Sequence, residues 1–158
     1  MSDEGPEYPT VGAVMQIVGR RLQPSSLDDV SRVEADLLAT ATAYGVIGNG
    51  GLMSWYERKV GTATEKVAAS FDRLGMPAVA EAMRASLRVF PDGAPPEDLA
   101  ARNLYLSANR ERLEESFRPL VEAVWAADWD AAAMAYIDAH RADLASIAPE
   151  YAAALRLQ

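Results

Sequence analysis

Apolar residues recur at intervals of three and four positions along most of this chain, the spacing that places side chains on one face of an α-helix. No segment shows the alternation typical of a strand. The stripes run over residues 11–22, 30–44, 67–74, 79–90, 113–125 and 134–147. We therefore predict an all-α fold, a single-domain helical bundle of about seven to eight helices over residues 10–158, with a flexible N-terminal tail over residues 1–9.

The predicted helix ends rest on capping residues and helix breakers. Ser26 suits the N-cap of the second helix, and Gly45 and Gly48 predict its end. Residues 62–65 (Thr-Ala-Thr-Glu) fit a capping box for a later helix. Pro119 lies inside an apolar helical pattern, and it predicts a kink or a break next to it.

Composition narrows the class of protein. The chain has 158 residues, half of them apolar, and no cysteine, which excludes disulfides, thiolate metal sites and thiol nucleophiles. No apolar run approaches the roughly 18 residues of a membrane span, so we expect none. Residues 1–9 lack the basic start and apolar core of a signal peptide, and we expect a cytoplasmic protein.

The formal net charge is −8, from 23 acidic and 15 basic residues. It is uneven, because residues 97–158 hold 11 acidic and 6 basic residues whereas residues 49–96 carry a slight basic excess. Binding to nucleic acid requires a basic surface that neutralises phosphates, so direct nucleic-acid binding is disfavoured. The acidic excess suggests a basic protein partner, or serves solubility alone.

Candidate catalytic and metal-binding residues are few. The lone histidine, His140, lies on the stripe between Ile137 and Leu144, which favours a packed residue bonded to a neighbour such as Asp143 over a general base. Carboxylate clusters coincide with predicted helix N-caps, and one histidine is too few for a histidine-rich metal site. We therefore predict no catalytic residue, no metal and no cofactor, and we favour a protein that is not an enzyme.

The most distinctive segment is Gly48-Asn49-Gly50-Gly51-Leu52-Met53-Ser54-Trp55-Tyr56. Glycine costs roughly 0.5–1 kcal/mol relative to alanine inside a helix, so this cluster needs a backbone reason. One interpretation is a ligand-binding loop formed by Asn49, Gly50, Gly51, Trp55 and Tyr56, although no lysine follows the glycines as in a phosphate-binding loop. The interpretation that we favour is a tight corner between two helices, with Asn49 in a left-handed conformation.

Charged residues dominate positions 110–122. Three i,i+4 pairs of opposite charge, each worth a few tenths of a kcal/mol, describe a solvated helix face: Arg110–Glu114, Glu114–Arg118 and Arg118–Glu122. Three glutamates leave this face locally acidic, and they are our candidate partner-binding residues: Glu111, Glu114 and Glu115.

The segment from Asn49 to Tyr56 resembles the signature of a bacterial family of all-helical domains of unknown function, whose usual form is Asn-Gly-Gly-Phe-x-Gln-Tyr-Phe. The order of the predicted elements after about residue 27 is also similar. Leu52, Ser54 and Trp55 depart from that form, and the missing glutamine removes a side chain able to bond to the turn. The family includes a dimeric DNA mimic, whose acidic surface imitates duplex phosphates and occupies the DNA-binding face of a transcription factor. The resemblance implies the same kind of activity here.

These expectations give one favoured function and two alternatives. We favour a non-enzymatic acidic protein-binding module, in the implied form a DNA mimic that sequesters a basic DNA-binding regulator and contacts neither nucleic acid nor membrane. Trp125 and Trp129 suit a subunit interface, so we also expect a homodimer. One alternative is a small-ligand-binding protein or an unrecognised enzyme with a pocket near Asn49, Trp55 and Tyr56. The other is an immunity-type protein that neutralises a toxin.

Overall fold

The computed structural model describes residues 8–22 and 30–156, and these residues form nine α-helices and no strand. The helices are α1 (Pro9–Arg21), α2 (Arg32–Tyr56), α3 (Thr64–Arg73), α4 (Pro77–Arg88), α5 (Leu99–Ala108), α6 (Arg110–Trp125), α7 (Trp129–Ala139), α8 (Arg141–Ile147) and α9 (Pro149–Ala154). Short 3-10 helices cover Lys59–Ala63 and Pro91–Gly93. The predicted all-α class is confirmed. Most of the predicted tail and the predicted N-cap Ser26 lie outside the described residues.

The chain divides into two compact units. The terminal unit comprises Met1–Leu38 and Trp129–Gln158, and the central unit comprises Ala39–Asp128. The divisions fall within α2 and just before α7, and not in the proline-rich loop after α4. The expected single domain stays a prediction. Within the described ranges, none of the helices combines the length and the apolarity that a bilayer crossing requires.

In the terminal unit, α1 packs against α7 and α9, and α8 packs against α9. Its core is formed by fully or almost fully buried apolar side chains, among them Val14, Val18, Leu37, Ile137, Leu144 and Tyr151. The predicted stripe over 134–147 is divided in two, because α7 ends at Ala139 and α8 begins at Arg141. No glycine or proline marks this division in the sequence.

A buried carboxylate fixes the start of α2 in the terminal unit. Ser31 and Glu34 form a capping box, since the Glu34 amide donates to Ser31 Oγ at 3.1 Å and the Ser31 amide donates to Glu34 Oε1 at 3.5 Å. The Glu34 side chain has no solvent exposure, and it accepts hydrogen bonds of 2.7 Å from Arg21 Nε and from the Tyr151 hydroxyl. The capping signal was present in the sequence at Ser31, five residues after the predicted N-cap.

Glu34 makes the stability of the terminal unit sensitive to acid. Burial raises the pKa of its carboxyl, but the hydrogen bonds from Arg21 and Tyr151 and the charge of Arg21 outweigh burial and hold the pKa below the ordinary value of 4.5. A carboxyl with a lowered folded-state pKa contributes stability above its unfolded-state pKa and loses it as the pH falls through the folded-state value. We therefore expect the free energy of unfolding to decrease as the pH falls below about 4.5.

This expectation can be measured by urea unfolding at a series of pH values, followed by far-ultraviolet circular dichroism. Glu34→Gln should be less stable at pH 7 by about 1–2 kcal/mol, because the charge-assisted bonds are lost, and its stability should vary less with pH between 3 and 5. Glu150→Gln is the control, because its partner Arg20 is exposed and the pair is 3.4 Å apart. If the stability of Glu34→Gln depended on pH in the same way as that of the wild type, the acid sensitivity could not be assigned to Glu34.

In the central unit, α3 packs against α4, α4 packs against α6, and α5 contacts α6. Aromatic rings fill the centre of this unit. The ring centroid of Tyr56 lies 4.8 Å from that of Phe90, edge to face, and 5.7 Å from that of Phe117, stacked. Tyr56 thereby joins the end of α2 to α4 and α6.

Arg102 on α5 is fully buried in the central unit, yet it bonds to no carboxylate. Its guanidinium donates to four backbone carbonyl oxygens: Tyr56 O and Arg58 O at 2.7 Å, Pro96 O at 2.9 Å and Glu97 O at 3.3 Å. Burial lowers the pKa of Arg102. The side chain therefore ties the segment after α2 to the segment before α5.

Two predicted helix boundaries of the central unit are wrong. Thr62 does not cap α3, because its hydroxyl donates to Lys59 O and the N-cap position is Ala63, which has no side-chain bond. The chain enters α3 from a 3-10 helix, which leaves no place for the predicted box. Of the kink or break predicted next to Pro119, the break is absent, since α6 runs through this residue. The carbonyl that proline leaves without a helical donor belongs to Glu115, an exposed residue.

Candidate functional site

The glycine-rich segment lies within α2 and does not end it. The helix continues through Gly45 and Gly48, and Gly51 alone leaves helical geometry, with φ 73° and ψ −176°. Asn49 is helical, because the described residues include a single non-glycine residue with positive φ, Asp92. The predicted helix end at Gly48 and the predicted left-handed conformation at Asn49 are therefore wrong. The irregular residue, Gly51, lies three positions after Gly48 and two after Asn49. The change of direction falls on Gly51.

Two of the glycines have distinct structural reasons. The backbone of Gly51 adopts a conformation that is essentially restricted to glycine. A Cβ atom on Gly50 would lie 2.2 Å from Ser54 Oγ and 2.7 Å from Ser54 Cβ, so position 50 has no room for a side chain. Ser54, which stands where the family signature has glutamine, fills the space that Gly50 leaves.

An open groove runs between this segment and α6 in the central unit, and we call it the Asn-Gly-Gly groove. Its volume is about 420 Å³. One wall is formed by residues 49–54 of α2 and by Glu57, which follows the helix, and the other wall by one face of α6: Arg110, Glu114, Phe117, Arg118, Val121 and Trp125. The groove is narrow at Gly51, where a Cβ atom added to the glycine would lie 3.9 Å from Val121 Cγ2.

The two arginines of the groove differ in their ion pairing. At one end Arg110 donates to Glu57 Oε1 and to Glu114 Oε1, both at 3.1 Å, and these hydrogen bonds raise the pKa of Arg110. About two turns farther along α6, near the middle of this wall, Arg118 is exposed and has no ion pair or hydrogen bond within the part of the chain that the structure describes. Of the three predicted i,i+4 pairs, Arg110–Glu114 is therefore confirmed and the two that involve Arg118 are not formed.

Trp125 closes the end of the groove opposite Arg110. Its side chain is 62% exposed, although the apolar pattern had placed it on the inner face of α6. The indole is nevertheless fixed, because its Nε1–H donates to Gly48 O at 3.0 Å. Trp129, which we expected to lie in a subunit interface together with Trp125, is buried in the terminal unit at 8% exposure. The two tryptophans therefore have different environments.

The predicted ligand residues separate into two groups. Asn49, Gly50 and Gly51 line the groove, whereas the side chains of Trp55 and Tyr56 are buried in the core, at 1% and 0% exposure. Trp55 Nε1 donates to Thr64 Oγ1 at 3.0 Å, and the Tyr56 hydroxyl shares a hydrogen bond with Ser86 Oγ. Burial raises the pKa of Tyr56. The aromatic half of the motif thus holds α2 to α3 and α4.

The candidate partner-binding glutamates also differ from one another. Glu111 and Glu115 are exposed, and neither forms an ion pair with any described residue. Glu114 lies in the groove and is bonded to Arg110. From the helical period, Glu111 and Glu115 occupy one face of α6 with Glu122, beside the groove.

The single histidine, His140, lies next to an acidic and an aromatic side chain. His140 Nδ1 lies 3.1 Å from Asp143 Oδ2, the neighbour expected from the sequence, and its ring centroid is 4.5 Å from that of Tyr136. The ring is part-exposed, at the junction of α7 and α8. Across residues 8–22 and 30–156, no group of three or more histidine or carboxylate side chains is arranged to hold a metal ion.

The described residues form an all-helical fold that carries the Asn-Gly-Gly segment, with its aromatic half buried and its polar half in a groove. The chain belongs to the DMP19-like protein family, whose family model matches residues 28–140. This match is consistent with the helical-domain family inferred from the sequence. Neither a curated protein nor a solved structure gave a significant match to the chain.

The sequence did not single out three residues of the groove. The sequence pattern assigned Arg118 to ion pairs on a solvated helix face and Val121 to the core. It assigned Trp125 to the core or to a subunit interface. Their i, i+3, i+7 spacing places them on one face of a helix, and this was the available signal. The opposite wall of the groove comes from a segment about 70 residues earlier, so local spacing alone does not reveal that the two face each other.

Proposed function

We propose that this protein is a non-enzymatic module that binds a basic protein through carboxylates on α6. The observation that supports the proposal is the exposed pair Glu111 and Glu115, which have no ion-pair partner within the described ranges. Several other carboxylates of the central unit are engaged, since Glu65 and Asp72 pair with Arg84 and Glu81 pairs with Arg88. Unpaired acidic side chains on one helix face suit a partner rich in lysine and arginine.

The specific form that we propose, following the resemblance, is a DNA mimic that occupies the DNA-binding face of a regulator. Charge density limits what α6 can do alone. Glu111, Glu115 and Glu122 extend over about 16 Å of helix axis, a length over which duplex DNA carries roughly ten phosphate charges. Mimicry therefore requires further carboxylates, and a homodimer is the simplest way to supply them. Homodimerisation is part of the proposal.

The distribution of charge along the chain sharpens the test. Residues 8–22 and 30–156 hold 18 of the 23 acidic and all 15 basic residues, so their formal net charge is −3. The remaining five acidic residues are Asp3, Glu4, Glu7, Asp28 and Asp29. Binding driven by α6 and binding driven by the N-terminal acidic residues are distinguishable by separate charge-neutralising variants.

The experiment measures binding of the purified chain to each basic DNA-binding regulator encoded by the same genome, at about 50 mM and about 500 mM salt. We expect one regulator to bind at low salt, to lose affinity steeply with added salt, and to be displaced by its own duplex DNA. Glu111→Gln with Glu115→Gln should weaken this binding at least about fivefold, because exposed charges that face a partner control association.

Two control variants carry comparable charge changes. Asp92→Asn with Glu97→Gln removes two exposed charges from the loop after α4, and asparagine tolerates the positive φ of 59° at position 92. This control should bind normally. A triple variant, Asp3→Asn, Glu4→Gln and Glu7→Gln, should have a smaller effect than the α6 pair. Equal losses for all three variants would point to net charge alone, and no binding to any regulator at low salt would refute the proposal.

A further inference from the structure

We propose that the Asn-Gly-Gly groove binds a small carboxylic acid with an aromatic or branched apolar body. The carboxylate meets the Arg118 guanidinium, and the body packs on the Trp125 indole and Val121. Arg118 and Trp125 line the groove, whereas Glu111 and Glu115 do not. The proposal is therefore independent of the partner-binding proposal, and it assigns a ligand class to the groove.

Arg118 supplies the anion-binding group. Arg110, the other arginine of the groove, already bonds to Glu57 and Glu114, so that end of the groove has an excess of one negative charge. Arg118, about two turns from Arg110 on α6, has no carboxylate partner among the described residues, so its positive charge is not neutralised by an ion pair. A planar guanidinium matches the geometry of a carboxylate and forms charge-assisted hydrogen bonds with it. This difference in charge favours a ligand whose anionic group bonds to Arg118.

Asn49 supplies a hydrogen-bonding group that the fold does not use. Asparagine is a poor helix former, and Asn49 is exposed within helical backbone. Its side-chain amide makes no hydrogen bond to any residue that the structure describes. Gly50 and Gly51 have evident structural reasons and Asn49 has none. The amide is thus free to bond to the carboxylate or to a polar group beside it.

Trp125 supplies an aromatic surface whose orientation is fixed in advance. Its indole is 62% exposed, and its bond to Gly48 O holds the ring at the end of the groove. Val121 and Phe117 provide the apolar wall next to it. A preoriented aromatic side chain loses little conformational freedom on binding, and it favours an aromatic or branched apolar body. The volume of about 420 Å³ lies in the range typical of small-molecule sites.

The test is a titration of the full-length chain with phenylacetate, followed by ¹H–¹⁵N nuclear magnetic resonance. The indole Nε1–H signal of Trp125 is assigned through Trp125→Phe, and the side-chain amide signals of Asn49 through Asn49→Ala. We expect both signals to shift with one saturable curve and a dissociation constant on the order of 1 mM or lower. Phenylacetamide, which has nearly the same shape but no charge, should bind at least about tenfold more weakly.

Matched variants identify the anion-binding group. Arg118→Gln should weaken phenylacetate binding about tenfold, whereas Arg112→Gln, the same charge change on another face of α6, should leave binding unchanged. Asn49→Ala should weaken binding without lowering thermal stability, because the amide holds nothing in the fold. A loss of stability with unchanged affinity would assign Asn49 to structure.

Three results would overturn the proposal. The first is the absence of a saturable shift at Trp125 with phenylacetate. The second is equal binding of phenylacetate and phenylacetamide, or equal affinities for the Arg118 and Arg112 variants. The third is binding of N-acetyl-phenylalanine without binding of phenylacetate, which would make the groove a site for the carboxyl end of a peptide and not for a small acid.

Discussion

Arg102→Met is expected to lower the free energy of unfolding by about 3–5 kcal/mol, because it removes a buried guanidinium that donates to four backbone carbonyls, one of them buried and three part-buried. Methionine keeps much of the volume, so the loss reports on the hydrogen bonds more than on a cavity. The segments after α2 and before α5 lose their common anchor. Urea unfolding followed by circular dichroism gives the change in free energy.

Two further variants separate geometry from charge at this position. Arg102→Lys keeps a positive charge but has three donors on one nitrogen, so we expect it to recover less than half of the loss. Arg112→Met on the exposed side of α6 removes one bond to the Tyr105 hydroxyl and should cost less than about 1 kcal/mol. Because the partners of Arg102 are carbonyls, its effect should be the same at pH 5 and pH 8. A loss under about 1 kcal/mol for Arg102→Met would show that water replaces the guanidinium.

Gly51→Ala is expected to destabilise the chain by about 1–3 kcal/mol, because φ 73° with ψ −176° is strained for any residue with a Cβ atom. Crowding is not the cause, since the new Cβ would be 3.9 Å from Val121 Cγ2, an ordinary contact. The urea midpoint should fall with little change in the slope of the unfolding transition.

The matched control is Gly48→Ala, three residues earlier in the same helix. Gly48 has helical backbone, and a Cβ atom there would have no heavy atom within 4 Å. This change should stabilise the chain by up to about 1 kcal/mol, because glycine loses more backbone freedom on folding than alanine does. Opposite signs for the two substitutions are the expected result. A neutral or stabilising Gly51→Ala would show that the change of direction is not fixed at Gly51.

Much of the helical architecture could be predicted from the sequence, because apolar periodicity depends on neighbours three or four positions apart. The stripes over α3, α4 and α6 correspond to buried faces, with Phe71, Met83 and Phe117 fully or almost fully buried. Boundaries were less predictable, since several residues compete for each cap. Ser26 and Ser31 both suited the start of α2, and the capping box of Ser31 with Glu34 and the bonds of Glu34 to Arg21 and Tyr151 favour the second.

The residues that sequence reasoning missed depend on distant partners. An arginine in a helix is ordinarily exposed, and nothing near Arg102 indicates that carbonyls about 45 residues earlier need a donor. Trp125 follows the apolar stripe of α6, yet it is exposed because the helix ends there and its indole reaches back to Gly48. The glycine segment was identified correctly as unusual, but the residue spacing did not show that Gly51 is the position that leaves helical geometry.

The different environments of the three tryptophans give the groove an optical reporter of its own. Trp55 and Trp129 are 1% and 8% exposed, whereas Trp125 is 62% exposed. A collisional quencher of fluorescence in the solvent reaches the exposed indole far more readily than the two buried ones. The quenchable part of the intrinsic emission therefore comes chiefly from Trp125, and shielding of that part follows occupancy of the groove without any label.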